Sequence, residues 1–228
     1  MTTTLSAHST ASATLVERNR VLRNTYWLLS LSMIPTVLGA WVGLATGITA
    51  GLTGFMGLVV FLGGAFGFMF AIEKTKNSAA GVPVLLAFTF FMGLMLSRLV
   101  GTVLGLSNGA GLVMTAFAGT GGIFLGMAML SSIIKRDLTN MGKFLFIGAI
   151  MLLVAAVANV FLQSGALMIT LAVLAIGIFS AFILYDLKRV QDGQETNYIT
   201  ATLGVYLSLF TVFQGLLMLL GLGGSQDE

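Results

Sequence analysis

The chain has 228 residues, 57% of them hydrophobic and only 8% charged, with a mean hydropathy of +1.01, whereas an ordinary soluble domain is about 25% charged. So little polar surface cannot coat a water-soluble globule, and that class is excluded. The chain has no cysteine and a single histidine, which removes disulfides, thiolate chemistry and Cys-based metal sites, and its net charge of +3 forms no continuous patch for nucleic acid.

Residues 1 to 14 are rich in Ser, Thr and Ala and lack an apolar h-region, so they are no cleavable signal peptide and are expected to form a disordered cytoplasmic tail holding His8. From Leu15 to Asn24 apolar and basic residues alternate, as in a short amphipathic stretch on the inner leaflet. It serves either as a positive anchor or as a partner-binding helix. This N-terminal region is bounded at residue 25.

A bilayer core about 30 Å thick needs roughly 20 apolar residues in a helix. By that measure seven segments are predicted, over 26–48, 51–72, 82–106, 110–134, 144–162, 166–187 and 198–222, followed by a short tail over 223–228. Pro35 is expected to kink the first segment, and Pro83 opens the third, where its missing N–H costs nothing. The connections after segments one, three and five are short and uncharged, like tight hairpins on one side of a membrane. The N-terminal region and the other three connections hold ten of the eleven basic residues. The positive-inside rule then places the N-terminus in the cytoplasm and the C-terminus outside. Glycine pairs four apart (Gly39 and Gly43, Gly63 and Gly67, Gly101 and Gly105, Gly122 and Gly126) predict close helix packing within one bundle.

Two ionisable residues fall inside these segments, Arg98 and Asp186, and an intramembrane charge is a functional candidate by default. Asp186 lies in the last turn of segment six. It is either an interfacial acid paired with Arg189 at i, i+3, or a proton-sensitive latch, because the helix dipole and partial burial both work against a carboxylate there. Arg98, about eight residues before the exit of segment three, either caps backbone carbonyls or lines an ion pathway. Asn159, Gln163 and Gln214 suit interhelical hydrogen bonds. Glu195 and Thr196, just before segment seven, suit its N-terminus as a dipole partner and a cap.

Enzyme chemistry finds no support. One histidine cannot make the HExxH pair of a membrane metalloprotease. Tyr185-Asp186 resembles half of an intramembrane aspartyl protease, but segment seven supplies no second acid. Segment seven also has no Lys for a retinal Schiff base. No catalytic residue, metal ligand or cofactor is expected.

Several stretches resemble the bacterial YccA-type branch of the Bax inhibitor-1 family. They are Val21-Leu22-Arg23-Asn24-Thr25-Tyr26, Ala87-Phe88-Thr89 and Val157 to Gln163. The most specific is Glu195-Thr196-Asn197-Tyr198-Ile199, followed by Ala201-Thr202 and Tyr206-Leu207-Ser208-Leu209. The resemblance implies an all-α polytopic protein of the bacterial inner membrane, with six helices surrounding a central C-terminal one. It implies one of two roles: interaction with an FtsH-type AAA metalloprotease and its regulators in membrane-protein quality control, or a pH-sensitive calcium or cation leak. The partners implied are the lipid bilayer, that protease, and calcium ion or proton. In leak-type members a pair of aspartates in the last two helices gates the path. The first falls on Asp186 and the second on Ser208, so half of the pair is missing, and a lone carboxylate cannot share a proton with a like partner. The early-helix arginine that latches the pair has no counterpart in segment two, and the resemblance carries no role onto Arg98. These departures favour the protease-modulating role.

Overall fold

A computed structural model of the chain describes residues 2–224, with side chains from residue 17 onward. The tail expected over 1–14 falls where side chains lie outside the described residues, and the tail over 223–228 is described only to Gly224.

The described residues form seven helices: α1 (Thr2–Thr46), α2 (Gly54–Thr75), α3 (Gly81–Leu104), α4 (Gly109–Ile133), α5 (Thr139–Leu162), α6 (Gly165–Gln191) and α7 (Tyr198–Gly224). Each contains a stretch long and apolar enough to cross a membrane, beginning in α1 at Glu17. Residues 17–25 therefore continue directly into the first spanning helix. Pro35 lies inside α1 without ending it. What does end it is Gly47, whose φ of +64 turns the chain left-handed while its N–H still bonds to Gly43 O.

In lipid the apolar side chains of neighbouring helices gain nothing by leaving hydrocarbon, so close backbone approach and hydrogen bonds decide which helices pack. The α1–α3 seam shows this most clearly. A Cβ at Gly39 would collide with Phe90 O, one at Gly43 with Ser97 Oγ, and one at Gly93 with Thr36 O. Three further bonds reinforce the seam. Thr49 Oγ1 and Ser97 Oγ meet at 2.9 Å, Tyr206 of α7 shares a 2.9 Å hydrogen bond with Thr36 Oγ1, and the same hydroxyl donates to Thr89 O at 3.4 Å. Tyr206 is enclosed by Phe88 and Phe210, which extends the aromatic contact to Phe68 and Phe91.

The α7 helix carries eleven buried residues, from Ile199 to Leu217, and packs against α1, α2, α3, α4 and α6. Among the described residues α5 does not touch it. The α5 helix leans on α6 and lightly on α2, and Gly142 is its one buried residue. Where the resemblance implies six helices around α7, five contact it among the described residues; the glycines of α5, Gly142 and Gly148, face the Tyr185 and Ile178 side chains of α6 instead.

Two of the four glycine pairs also differ from expectation. Gly63, Gly67, Gly122 and Gly126 have nothing within 4 Å of the place a Cβ would take. Gly64, next to one of them, is instead the residue that admits the Phe91 ring.

Candidate functional site

The polar side chains gather at one end of the bundle, where the N-terminal part of α1 meets the α2–α3, α4–α5 and α6–α7 connections. Asn197 ties two of them. Its Nδ2 donates to Lys76 O at 3.1 Å and to Asn77 Oδ1 at 2.9 Å, while its Oδ1 accepts from Ile199 N (2.9 Å) and Thr200 N (3.2 Å). Asn197 is therefore the N-cap of α7, and the exposed Thr196 is not. Glu195 supports the cap by accepting from Asn197 N at 2.9 Å, and its other oxygen faces Arg189 at 3.6 Å. A second tie joins α6 to α4, where Gln191 Nε2 donates to Ser131 Oγ at 2.8 Å. In the α4–α5 connection, Asp137 accepts from Thr139 Oγ1 (2.6 Å) and Thr139 N (2.8 Å), and these two bonds hold its carboxyl below the usual carboxylate range.

Asp186 lies against α7 beside this cluster. A Cβ at Gly204 would come within 2.8 Å of Asp186 Oδ2, so the absence of a side chain at Gly204 is what lets the carboxyl approach the helix. The i, i+3 pair with Arg189 does not form. Arg189 turns to Glu195 and stacks over the Tyr185 ring at 5.6 Å, and Asp186 has no hydrogen bond or ion pair among the described residues. It remains in electrostatic range of both Arg189 and Glu195. Ser208, one turn beyond Gly204, is buried and donates to Gly204 O at 3.1 Å. Its hydroxyl is spent on its own helix. Among the described residues two buried polar atoms lack partners: Thr200 Oγ1, one turn before Gly204, and Nε of Arg18, whose side chain lies against Gly193.

Arg98 stands at the opposite end. It is exposed, and its Nη1 donates to Leu52 O at 3.1 Å, in the connection between α1 and α2. Asp186 and Arg98 thus occupy opposite ends of the bundle. The remaining intramembrane polar residues do not join helices as expected. Asn159 Oδ1 accepts from Ser164 N at 3.0 Å within the α5–α6 turn, where Gln163 takes a left-handed φ of +50. Among the described residues Gln214 makes no hydrogen bond. Besides that of Arg98, the bonds that do cross between elements join Tyr206 to Thr36 and Thr89, Thr202 to Thr25, Thr49 to Ser97, Gln191 to Ser131, and Asn197 to the α2–α3 connection. Of these, Asn197, Thr202 and Tyr206 sit in stretches the sequence marks as distinctive; Gly204 is legible, in retrospect, as a small residue four before Ser208.

The family model described as inhibitor of apoptosis-promoting Bax1 matches residues 18–226. The chain is 35% identical over 216 residues to the Escherichia coli K12 protein named modulator of FtsH protease YccA, covering 95% of each. It is 34% identical over 212 residues to an uncharacterized membrane protein of Vibrio cholerae, covering 93% of each. An uncharacterized protein of Neisseria meningitidis serogroup A is 36% identical over 213 residues, 92% of this chain and 94% of that one.

Proposed function

The chain belongs to the Bax inhibitor-1 family, and from that premise we propose that it modulates membrane-protein quality control by engaging an FtsH-type AAA metalloprotease in the bacterial inner membrane. The observation that carries this reading is the similarity, along nearly the whole chain, to the E. coli protein named for that modulation. The polar residues of the candidate site support it from another side. Where a gating pair of acids would stand, Asp186 faces Gly204, and Ser208 bonds to its own helix. The role is one of binding, with no catalytic step of its own.

The positive-inside rule orients the molecule with its charged end in the cytoplasm and the far end of α7 outside. The polar N-terminal residues, which carry almost no apolar side chain to hold them, then face the protease as a handle.

The test is the rate at which purified protease in proteoliposomes degrades a membrane-protein substrate, with and without this chain. Slower degradation is expected, and an unchanged rate sinks the reading. In cells with active protease, removing residues 2–14 is expected to lengthen the lifetime of the protein while leaving the fold intact.

The second reading, a pH-sensitive calcium or cation leak, is favoured by one observation, the Asp186 carboxyl that has no hydrogen bond or ion pair among the described residues. It requires a flux into liposomes that varies with pH and loses that variation in Asp186→Asn. Absence of flux in the parent protein ends it.

A further inference from the structure

At the charged end of α1 a groove of about 590 Å³ opens on the outer surface of the bundle. Asn24, Trp27, Leu28, Leu31 and Ile34 of α1 line it, and Tyr198 closes it from α7. The α1 residues follow helical spacing and form one stripe. Trp27 is 73% exposed and Ile34 57%, on a helix apolar enough to span a membrane, so the stripe faces hydrocarbon. A tryptophan and a tyrosine at this level are the side chains that settle at the headgroup boundary.

The groove continues into charge. Arg20 stands four residues before Asn24 and Arg23 four before Trp27, so each guanidinium lies one turn beyond the groove on the same face. Both are exposed. Among the described residues the acids at this end are committed elsewhere or do not reach them. Glu73 pairs with Lys76, Asp192 with Lys188 and Glu195 with Arg189, Asp137 binds Thr139, and neither Asp186 nor Glu17 makes an ion pair with Arg20 or Arg23. Two guanidiniums therefore meet the membrane boundary with no ion-pair partner among the described residues, directly above an apolar slot open to lipid. A zwitterionic lipid would fill the slot and offer its phosphate, but its own ammonium competes for that phosphate and leaves the net positive charge of the two guanidiniums unanswered. A phosphate-bearing anion with an acyl chain answers both features at once.

We propose that this groove is a binding site for one anionic phospholipid of the leaflet at the charged end. Its phosphate lies between Arg20 and Arg23, and one acyl chain runs along Trp27, Leu31 and Ile34. The charge is what selects, since the slot accepts any acyl chain. Other cations at the same end, such as Lys135 and Arg136, only raise the general concentration of anionic lipid.

Trp27 reports on the site directly. The protein has two tryptophans, so Trp41→Phe leaves Trp27 as the sole emitter. This variant is reconstituted in phosphatidylcholine vesicles containing a minor fraction of brominated phosphatidylglycerol or, in parallel, brominated phosphatidylcholine. Quenching of Trp27 is expected to show about a tenfold preference for phosphatidylglycerol. Arg20→Gln with Arg23→Gln is expected to abolish the preference, and Lys135→Gln with Arg136→Gln to leave most of it. Equal quenching by the two lipids in the parent overturns the proposal without recourse to a charge variant. So does a preference that the Arg20/Arg23 change leaves intact, or one that both pairs of changes reduce alike.

Discussion

Helices α1 and α5 are both apolar enough to cross a bilayer, yet one is locked into the molecule and the other lies against its side. The locked helix carries Gly39 and Gly43 on the face that meets α3 and Thr36 where α7 offers a hydroxyl, and Thr49, just past its end, meets Ser97 of α3. The α5 helix is equally hydrophobic, but its polar side chains, Asn159 among them, serve its own end turn. Since burial of hydrocarbon in hydrocarbon yields little, it is the short list of glycines and hydroxyls that separates a core helix from a peripheral one.

The strongest way to break this contrast is at the seam. Gly93→Ala places a methyl group into Thr36 O, and because the obstacle is backbone, the two helices must move apart. We expect a loss of about 2 kcal/mol or more in reversible unfolding from detergent micelles. A variant as stable as the parent would mean that the seam is looser than described. Asn197→Ala removes the cap of α7 together with its bonds to the α2–α3 connection, and should cost roughly 1–2 kcal/mol in the same assay. Proteolysis of the α2–α3 connection should accelerate in parallel, which separates the tie from a simple cap. Tyr206→Phe keeps the ring among Phe88 and Phe210 and deletes only the bonds to Thr36 and Thr89, so a loss of about 1 kcal/mol is expected. A neutral result would assign the α7 contact to ring packing alone.

On the α5 side the effects should be small and local. Asp137 holds the start of α5 through Thr139, and those bonds lower its pKa in the folded state. The stability they add is present above the ordinary carboxylate range and is lost as pH falls through the lowered value. The gap between the parent and Asp137→Ala should therefore be open at neutral pH and close on acidification, as read from melting temperatures across the acid range. Smallest of all, Gly126→Ala on the open face of α4 should shift unfolding by less than about 0.5 kcal/mol. A loss comparable to that of Gly93→Ala would show that a second protein surface covers Gly126.

Much of the fold is legible from the sequence because long apolar runs and the placement of Lys and Arg are one-dimensional signals. Both survive in the seven helices and in the gathering of charge at one end. Pairing between helices is not such a signal. Gly39 and Gly122 sit in similar spacings, but only the first faces a backbone, and nothing in composition tells the two apart. Hydroxyls mislead for the same reason, since a mid-membrane Thr or Tyr can serve its own helix, as Ser208 does, or a neighbour, as Thr36 does. At the candidate site, Asp186 stands out in the sequence as a lone acid. Its neighbour Gly204 does not, because it is ordinary on its own helix and becomes notable only when α6 and α7 meet.

The position of Tyr206 also bears on the order in which the molecule is made. The hydroxyl that answers Thr36 and Thr89 resides on the seventh helix, so α1 and α3 emerge from the ribosome well before their partner does. Until α7 arrives, the faces of α1, α2, α3, α4 and α6 that it covers are open, and a chain stalled after α6 presents them to the lipid. Completion of the core is thereby coupled to completion of synthesis, and the burial of Tyr206 becomes a marker that separates finished molecules from nascent ones.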